Sequence, residues 1–268
     1  MLLLNKLMST IAILLSAAVI ITTIPAGTAA AEEAPDYQMP ANAADETEII
    51  SEIKEKRESN VKHFLMRNGN YAAAVYPYDI HYENQNGELE EINNSLTVEN
   101  DGNDDVFSNQ SNIITAKFMK KSNANKLYTI KKGANQIKVS IEGASKVKSV
   151  TEEDSENKDN NDFTLKNICS KITYKNIFKN TDIEYEIVST CIKENIILKE
   201  KTDFNSLNYT YHLNGSISAV QKDDKSIELY DKAGNLIITV SAPAMWDASG
   251  EYFDSIKLEI VKKQNSKV

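Results

Sequence analysis

The sequence predicts an all-β protein, in which antiparallel sheets pack as one large or two adjoining β-sandwiches after a signal peptide and one short helix. Apolar and acidic residues alternate along Ile183–Val188, which is the period of a half-buried strand. Two further apolar runs, Ile172–Tyr174 and Ile196–Leu198, flank it across short polar breaks, so the three runs should pair as a meander. Gly, Asn and Ser separate similar runs along most of the chain.

The composition sets limits on partners. Of the 268 residues, 41% are hydrophobic and 26% are charged, as in an ordinary soluble domain. The formal net charge is −9, and it becomes −10 without residues 1–31, which contain Lys6 and no acidic residue. An acidic chain repels phosphate backbones and anionic lipid, so the sequence predicts no nucleic-acid partner. Two cysteines are too few to hold a chain of this length together.

Residues 1–31 have the pattern of a secretory signal peptide. Lys6 precedes the apolar run Leu7–Ile24, and the small residues Ala29–Ala31 follow Pro25 with an A-x-A pattern. We predict cleavage near Ala31, with an uncleaved membrane anchor as the alternative. The mature protein would then be secreted or on the cell surface, with no stable membrane insertion.

Residues 32–60 predict a flexible lead and a short helix. Glu32–Ala44 is rich in small residues and proline, which is typical of a flexible segment. Asp45 is a suitable N-cap for a helix over Glu46–Glu58, whose apolar stripe contains Ile49, Ile50 and Ile53. This stripe would pack on the edge of the β domain or bind a partner.

The β domain is predicted to span residues 61–268. Its first strands are expected at Tyr71–Tyr78, Ile80–Tyr82, Ile113–Met119, Leu127–Lys131, Gln136–Ile141 and Lys146–Val150. The acidic segment Glu99–Gln110 predicts a solvent loop. Asp101, Asn103 and Asp105 alternate there as in a calcium loop, but the glycine is misplaced and the distal glutamate is missing, so we predict no metal site.

The second half predicts further hairpins. Thr151–Asp162 is the most polar run, and it is either a mobile loop, which we favour, or a joint between two sub-domains at 151–162. Strands are expected at Asn208–Leu213, Ile217–Gln221, Ser226–Tyr230, Leu236–Val240 and Ile256–Val261, with a turn at Asp223–Asp224. Because Lys262–Val268 ends without a polar tail, we expect the natural domain to continue beyond it.

The sequence offers no recognisable catalytic motif. The histidines are His63, His81 and His212, and no paired His or Cys spacing gives zinc its ligands. No nucleophile elbow, phosphate-binding loop or dinucleotide fingerprint occurs. We therefore predict no enzyme, no catalytic residue, no cofactor and no metal ligand.

Two smaller features leave alternatives open. Cys169 and Cys191 would face each other if a hairpin turns near Asn180, and they would form a disulfide or remain small apolar residues. Trp246 lies close to Tyr252 and Phe253, and it either packs in the core or lines a sugar-binding face.

The order of several segments resembles a known family. The residues that carry the resemblance are Arg57, Phe64, Gly69, Tyr71, Tyr76, IHYENQNGELEEINNSL, ITYKNIFKNTDIEYEI, IKENIILK and ELYDKAGNLIITVSAPAMWDASGE. Together they resemble the amino-terminal region of bacterial wall-associated RHS-repeat (YD-repeat) proteins and of their relatives with a DNRLRE domain. The resemblance covers most of Arg57–Glu251.

This resemblance implies a non-catalytic extracellular β module of a cell-surface protein, with a structural or display role. Its implied partners are the downstream domains of a larger surface protein or a cell-wall polymer. The alternative expectation is a β-sandwich that binds carbohydrate or wall polymer.

Overall fold

A computed structural model describes residues 11–15 as backbone, and residues 48–152, 165–214, 216–222, 225–262 and 268 in full. The remainder of the predicted signal peptide, the lead at 32–44, the acidic segment 153–162, the Asp223–Asp224 turn and the tail 263–267 lie outside these residues. The expectations about cleavage, the loop or joint, and continuation therefore remain predictions. No helix in the described part is long and apolar enough to cross a membrane.

The described residues form antiparallel strands and one turn of 3-10 helix, Lys54–Lys56. In chain order the strands are β1 Ile11–Leu15, β2 Ile49–Glu52, β3 Val61–Met66, β4 Tyr71–Val75, β5 His81–Glu83, β6 Leu89–Glu91, β7 Thr97–Asp101, β8 Asp104–Ser108, β9 Thr115–Asn123, β10 Lys126–Lys132, β11 Asn135–Ile141, β12 Ser149–Glu152, β13 Cys169–Phe178, β14 Thr181–Val188, β15 Cys191–Leu198, β16 Tyr209–Leu213, β17 Ser218–Lys222, β18 Ser226–Tyr230, β19 Leu236–Val240, β20 Ala244–Asp247 and β21 Tyr252–Phe253. The predicted all-β class is confirmed.

The predicted meander is the centre of the largest sheet. Strands β13, β14 and β15 pair in antiparallel register, and Ile183, Tyr185 and Ile187 of β14 are fully buried, as their alternation predicts. The turns on either side of β14 place Asn180 and Ser189 at positive φ. Asparagine tolerates this conformation because its short polar side chain bonds locally. The sheet order is β12-β13-β14-β15-β1-β20-β21.

A second sheet, of order β16-β11-β10-β9-β8-β7, packs on the first one. Buried side chains from both sheets belong to one hydrophobic cluster. At its centre the Tyr185 ring lies 5.3 Å from the Phe118 ring and 5.0 Å from the Tyr128 ring. Each such fully buried side chain contributes on the order of 1.5–3 kcal/mol through the hydrophobic effect, so this interface holds the sandwich together.

Part of the predicted leader forms a strand. The backbone of β1 pairs with β15 on one side and with β20 on the other. Both pairings are antiparallel, so this five-residue strand links the meander to the final hairpin within one sheet.

Three local predictions are wrong. A helix was predicted over Glu46–Glu58, but in its described part, residues 48–58, the chain forms β2 and a single 3-10 turn, because β3 offers a sheet edge whose hydrogen bonds β2 completes. Most of the predicted loop Glu99–Gln110 lies in the hairpin of β7 and β8, because β9 supplies a partner strand for β8. In contrast, Ile256–Val261 forms no strand among the described residues.

The two cysteines are too far apart for a disulfide. Val188 pairs with Cys169 on one side and with Cys191 on the other, so a whole strand separates them. Neighbouring strands are about 4.8 Å apart, which puts the two Cα atoms roughly 10 Å apart, beyond the range that a disulfide spans. The prediction that they face each other is therefore wrong, because the meander contains two turns between them.

Three small sheets complete the described fold. Strands β17, β18 and β19 form one sheet, strands β2, β3 and β4 form another, and β5 and β6 form a separate hairpin. A second apolar cluster of Ile80, Ile92 and Ile168 packs this hairpin beside the start of β13. The ends of β2 and of the hairpin approach each other, and this approach creates the candidate site.

Candidate functional site

Ionisable side chains from four strands and one loop meet between the β2–β3–β4 sheet and the β5–β6 hairpin. Glu52 ends β2, Lys62 lies in β3, and Arg57 lies in the loop before β3. His81 begins β5 and Glu91 ends β6. We call Glu52, Arg57, Lys62, His81 and Glu91 the His81 cluster.

The hairpin fixes two members of the cluster. His81 and Glu91 are directly opposed residues in the antiparallel register of β5 and β6. The turn between these strands is closed by Asn84, whose side-chain oxygen accepts hydrogen bonds from the backbone N–H groups of Asn86 and Glu88. Gly87 lies at φ +80°, a conformation that glycine adopts without steric cost. Local turn chemistry therefore places the imidazole beside a carboxylate.

Arg57 joins the two sheets. Its guanidinium donates to both carboxylate oxygens of Glu52, at 2.7 and 3.0 Å, and to the carbonyl of Leu89 at 3.0 Å. Another of its bonds reaches Glu91 Oε1 at 3.2 Å, and the side chain is only 9% exposed. The hydrogen bond with Glu52 raises the pKa of Arg57. Burial acts to raise the pKa of Glu52, but the bonds and charge of Arg57 outweigh it and lower that pKa overall.

Lys62 neutralises the carboxylate of Glu91. Its ammonium donates to Glu91 Oε1 at 2.7 Å. With Arg57 and Lys62 protonated and Glu52 and Glu91 ionised, the four charges sum to zero. The cluster is thus neutral before any further ion or substrate arrives.

His81 is buried, with 2% of its surface exposed. Its Nδ1 lies 2.7 Å from the carbonyl oxygen of Glu58. A carbonyl only accepts, so Nδ1 carries the proton and donates it. Burial lowers the pKa of His81 more strongly than the Glu58 bond raises it, which favours the neutral ring. Its Nε2 then holds a lone pair, and this atom is buried without a hydrogen-bond partner in the described structure.

The arrangement has a defined chemical capacity. One nitrogen of His81 and one carboxylate oxygen from each of Glu52 and Glu91 lie within 4.8 Å of one another. A neutral imidazole with an open lone pair acts as a general base or as a metal ligand. The two cations hold the carboxylates in fixed positions around it.

A separate cavity of about 540 Å³ lies against the main sandwich. Seven isoleucines contribute to its lining, together with Tyr185, Tyr211 and the half-buried Glu194. Tyr209 donates its hydroxyl hydrogen bond to Glu194 at 2.5 Å. Burial raises the pKa of the Glu194 carboxyl, an effect that the hydrogen bond from Tyr209 only partly offsets.

Other residues that the sequence singled out lie elsewhere. Asp101 forms ion pairs with Lys126 at 2.9 Å and Lys117 at 3.7 Å, so lysines hold the carboxylate of the calcium-like run. The half-buried Trp246 packs against the exposed Tyr252, with ring centroids 5.3 Å apart. His63 pairs with Glu58 at the surface, outside the His81 cluster.

The sequence search missed the His81 cluster because it looked for histidine and cysteine pairs at fixed spacing. Here the three possible ligands are Glu52, His81 and Glu91, each from a different strand. One signal was available: the turn Asn84–Gly87 fixes the register that opposes His81 and Glu91. To place Glu52 in the cluster, the pairing of β2 with β3 had to be known, and the predicted helix excluded that pairing.

The fold and the cluster define the chain as an antiparallel β-sandwich with a buried ionic site on an accessory hairpin. No protein-family model matches the chain, and no solved structure gives a significant match.

Relatives are found among curated proteins. Over 223 residues, 80% of its length, the chain is 24% identical to the tRNA3(Ser)-specific nuclease WapA of Bacillus spizizenii. The tRNA nuclease WapA of Bacillus subtilis strain 168 matches with the same identity and coverage. A tRNA(Glu)-specific nuclease WapA of Bacillus subtilis subsp. natto is also 24% identical, over 222 residues. The chain spans only 9% of the length of these relatives.

These relatives contradict the functional prediction. The chain was expected to be non-catalytic, with a structural or display role or a carbohydrate- or wall-polymer-binding one, and without nucleic acid as a partner. Each relative is instead named as a nuclease that acts on tRNA. The error has a physical reason, because a net charge of −9 describes the average of this chain. The net charge of this region does not limit the substrate of a protein that is much longer than the region.

Proposed function

We propose that this chain is part of a nuclease that acts on tRNA. The observation that carries the proposal is the similarity over 80% of the chain to proteins that are each named as tRNA nucleases. The matched region is 9% of those proteins, so the proposal concerns the activity of the whole protein to which the chain belongs.

Within the chain, the His81 cluster offers groups that phosphodiester cleavage uses. His81 presents a lone pair on Nε2, as a general base requires. Arg57 and Lys62 are cations of the kind that stabilise charge on a phosphoryl group. Both are bound to carboxylates, so a phosphate would have to compete with Glu52 and Glu91 for them.

We also propose that the protein works outside the cytoplasm, in the wall-associated RHS-repeat and DNRLRE class that the sequence resembles. The leader-like run Leu7–Ile24 supports export. The order of motifs between Arg57 and Glu251 supports the class.

The test compares two preparations on the same substrate. The complete product of the gene and the 268-residue chain are each incubated with total tRNA, and the RNA is separated on a denaturing gel. We expect the complete product to cut tRNA into discrete fragments, and His81→Ala in each preparation measures the contribution of the cluster. An unrelated exported β protein, purified in parallel, controls for contaminating ribonuclease. Intact tRNA after incubation with the complete product would overturn the proposal.

A further inference from the structure

We propose that Glu52, His81 and Glu91 bind a divalent transition-metal ion, with Zn²⁺ as the best fit. Their ligand atoms lie within 4.8 Å of one another and come from the ends of three strands. The inference concerns metal binding alone and does not depend on cleavage of tRNA.

His81 supplies the independent observation. Its Nε2 is buried without a hydrogen-bond partner in the described structure, and its Nδ1 donates to the Glu58 carbonyl at 2.7 Å. A metal-binding histidine usually donates its other ring N–H in this way, as Nδ1 does to Glu58, because the bond fixes both the tautomer and the ring orientation. An unsatisfied buried nitrogen is unfavourable, and a bound ion would satisfy it.

The ligand set favours zinc over calcium or magnesium. Calcium and magnesium prefer shells made of oxygen only, whereas imidazole suits Zn²⁺. One histidine and two carboxylates leave a fourth tetrahedral position for water. The side chain of Glu91 is 49% exposed, so the cluster opens toward solvent on that side.

Arg57 and Lys62 determine how tightly the site is expected to bind a metal ion. They already neutralise the two carboxylates, so an incoming dication meets two cations that share its ligands. A carboxylate has about four lone-pair positions, which leaves positions for an ion. We therefore expect moderate affinity, and we expect removal of the Lys62 charge to tighten binding. This second expectation separates a metal site from a simple network of ion pairs.

The experiment uses the purified chain after treatment with a chelator and dialysis. Zn²⁺ binding at pH 7 is measured by calorimetry, and Co²⁺ serves as a probe whose visible absorption reports a tetrahedral site. We expect one ion per chain. His81→Gln should weaken Zn²⁺ binding by at least about tenfold, as should Glu91→Gln, and Lys62→Met should tighten it severalfold.

The matched control is His63→Gln, because His63 and Glu58 form a histidine–carboxylate pair outside the cluster. It should leave Zn²⁺ affinity unchanged. Circular dichroism establishes that each variant is folded, and Lys62→Met removes no proposed ligand. The proposal is overturned by the absence of saturable binding, by equal affinity in His81→Gln, or by unchanged affinity in a folded Lys62→Met variant.

Discussion

The hydroxyl of Tyr174 donates a hydrogen bond to the backbone carbonyl of Met119 at 2.6 Å, and this bond joins the two facing sheets of the sandwich. Tyr174 belongs to β13 of the large sheet and Met119 to β9 of the second one. Both residues are buried. The central meander is thus fixed on its partner sheet by a polar bond as well as by ring packing.

Replacement of Tyr174 by phenylalanine removes this bond and keeps the ring. The Met119 carbonyl retains a longer contact with the Ser149 hydroxyl at 3.3 Å, so the loss should be modest. We expect the free energy of unfolding to fall by about 1 kcal/mol in urea titration. Tyr71→Phe is the control, since Tyr71 is exposed, and it should change stability by less than about 0.5 kcal/mol. Equal stability of the two variants would contradict this role of Tyr174.

Asn94 should be the most sensitive polar residue of the sandwich. It is fully buried, and its amide donates to the carbonyls of Ile168 and Ser189 at 2.8 and 2.9 Å. Its oxygen accepts hydrogen bonds from two other asparagine side chains, Asn109 and Asn112. Asn94→Ala leaves several of these groups unpaired, so we expect a loss of about 3 kcal/mol or more by thermal or urea unfolding. The control is Asn86→Ala at an exposed position, which should leave the free energy of unfolding nearly unchanged. An equally small change in Asn94→Ala would show that this hydrogen-bond network does not hold its segments together.

The ion pairs of Arg57 and Arg67 differ in burial and should differ in effect. Arg57→Met leaves Glu52 as a carboxylate without its main partner, in a place where the Arg57 side chain is 9% exposed. We expect a loss of about 2–4 kcal/mol. Arg67 pairs with Glu48 where both side chains are about half exposed, so solvent screens the pair and Arg67→Met should cost clearly less stability than Arg57→Met. Similar losses in the two variants would contradict the proposed difference.

Glu194 makes stability depend on pH. Its pKa is raised in the folded protein, so the folded state holds the proton more tightly than the unfolded state does. The stabilisation is present below the ordinary pKa of glutamate and is lost as the pH rises through the folded-state value. Compared with Glu194→Gln, the wild-type chain should lose stability as the pH increases across this window. Urea titrations over a pH series measure the difference. A constant difference would rule out the raised pKa.

The cysteines should not form a bond with each other. Val188 lies between Cys169 and Cys191 in the sheet, so oxidation within one folded chain would require the strands to separate. Alkylation of the denatured chain without reductant should label both thiols, as measured by intact mass. Detection of an intramolecular disulfide in the folded chain would contradict the strand order.

Sequence reasoning succeeded where the pattern was local. The alternation along Ile183–Val188 predicted a strand with one buried face, and the structure has it. It failed at Ile49–Glu52, because the apolar spacing fits either a helix or a strand, and the open edge of β3 decided the outcome. Because this strand was not predicted, Glu52 was not recognised as a member of the His81 cluster.

The His81 cluster was missed for a different reason. Motif spacing is a one-dimensional criterion, whereas His81 and Glu91 meet through the register of a hairpin and Glu52 arrives from another sheet. Net charge likewise averages over residues that never meet. Neither measure reports a site assembled from distant parts of the chain.

The central structural claim is that three strand ends bring Glu52, His81 and Glu91 together around an open imidazole nitrogen. Its most direct test is a crystal structure of the chain grown with Zn²⁺, with anomalous differences collected at the zinc absorption edge. We predict an anomalous peak about 2.0–2.1 Å from His81 Nε2, with oxygens of both glutamates in contact with it. A folded sandwich with no peak at His81, or with His81 far from the two glutamates, would contradict it.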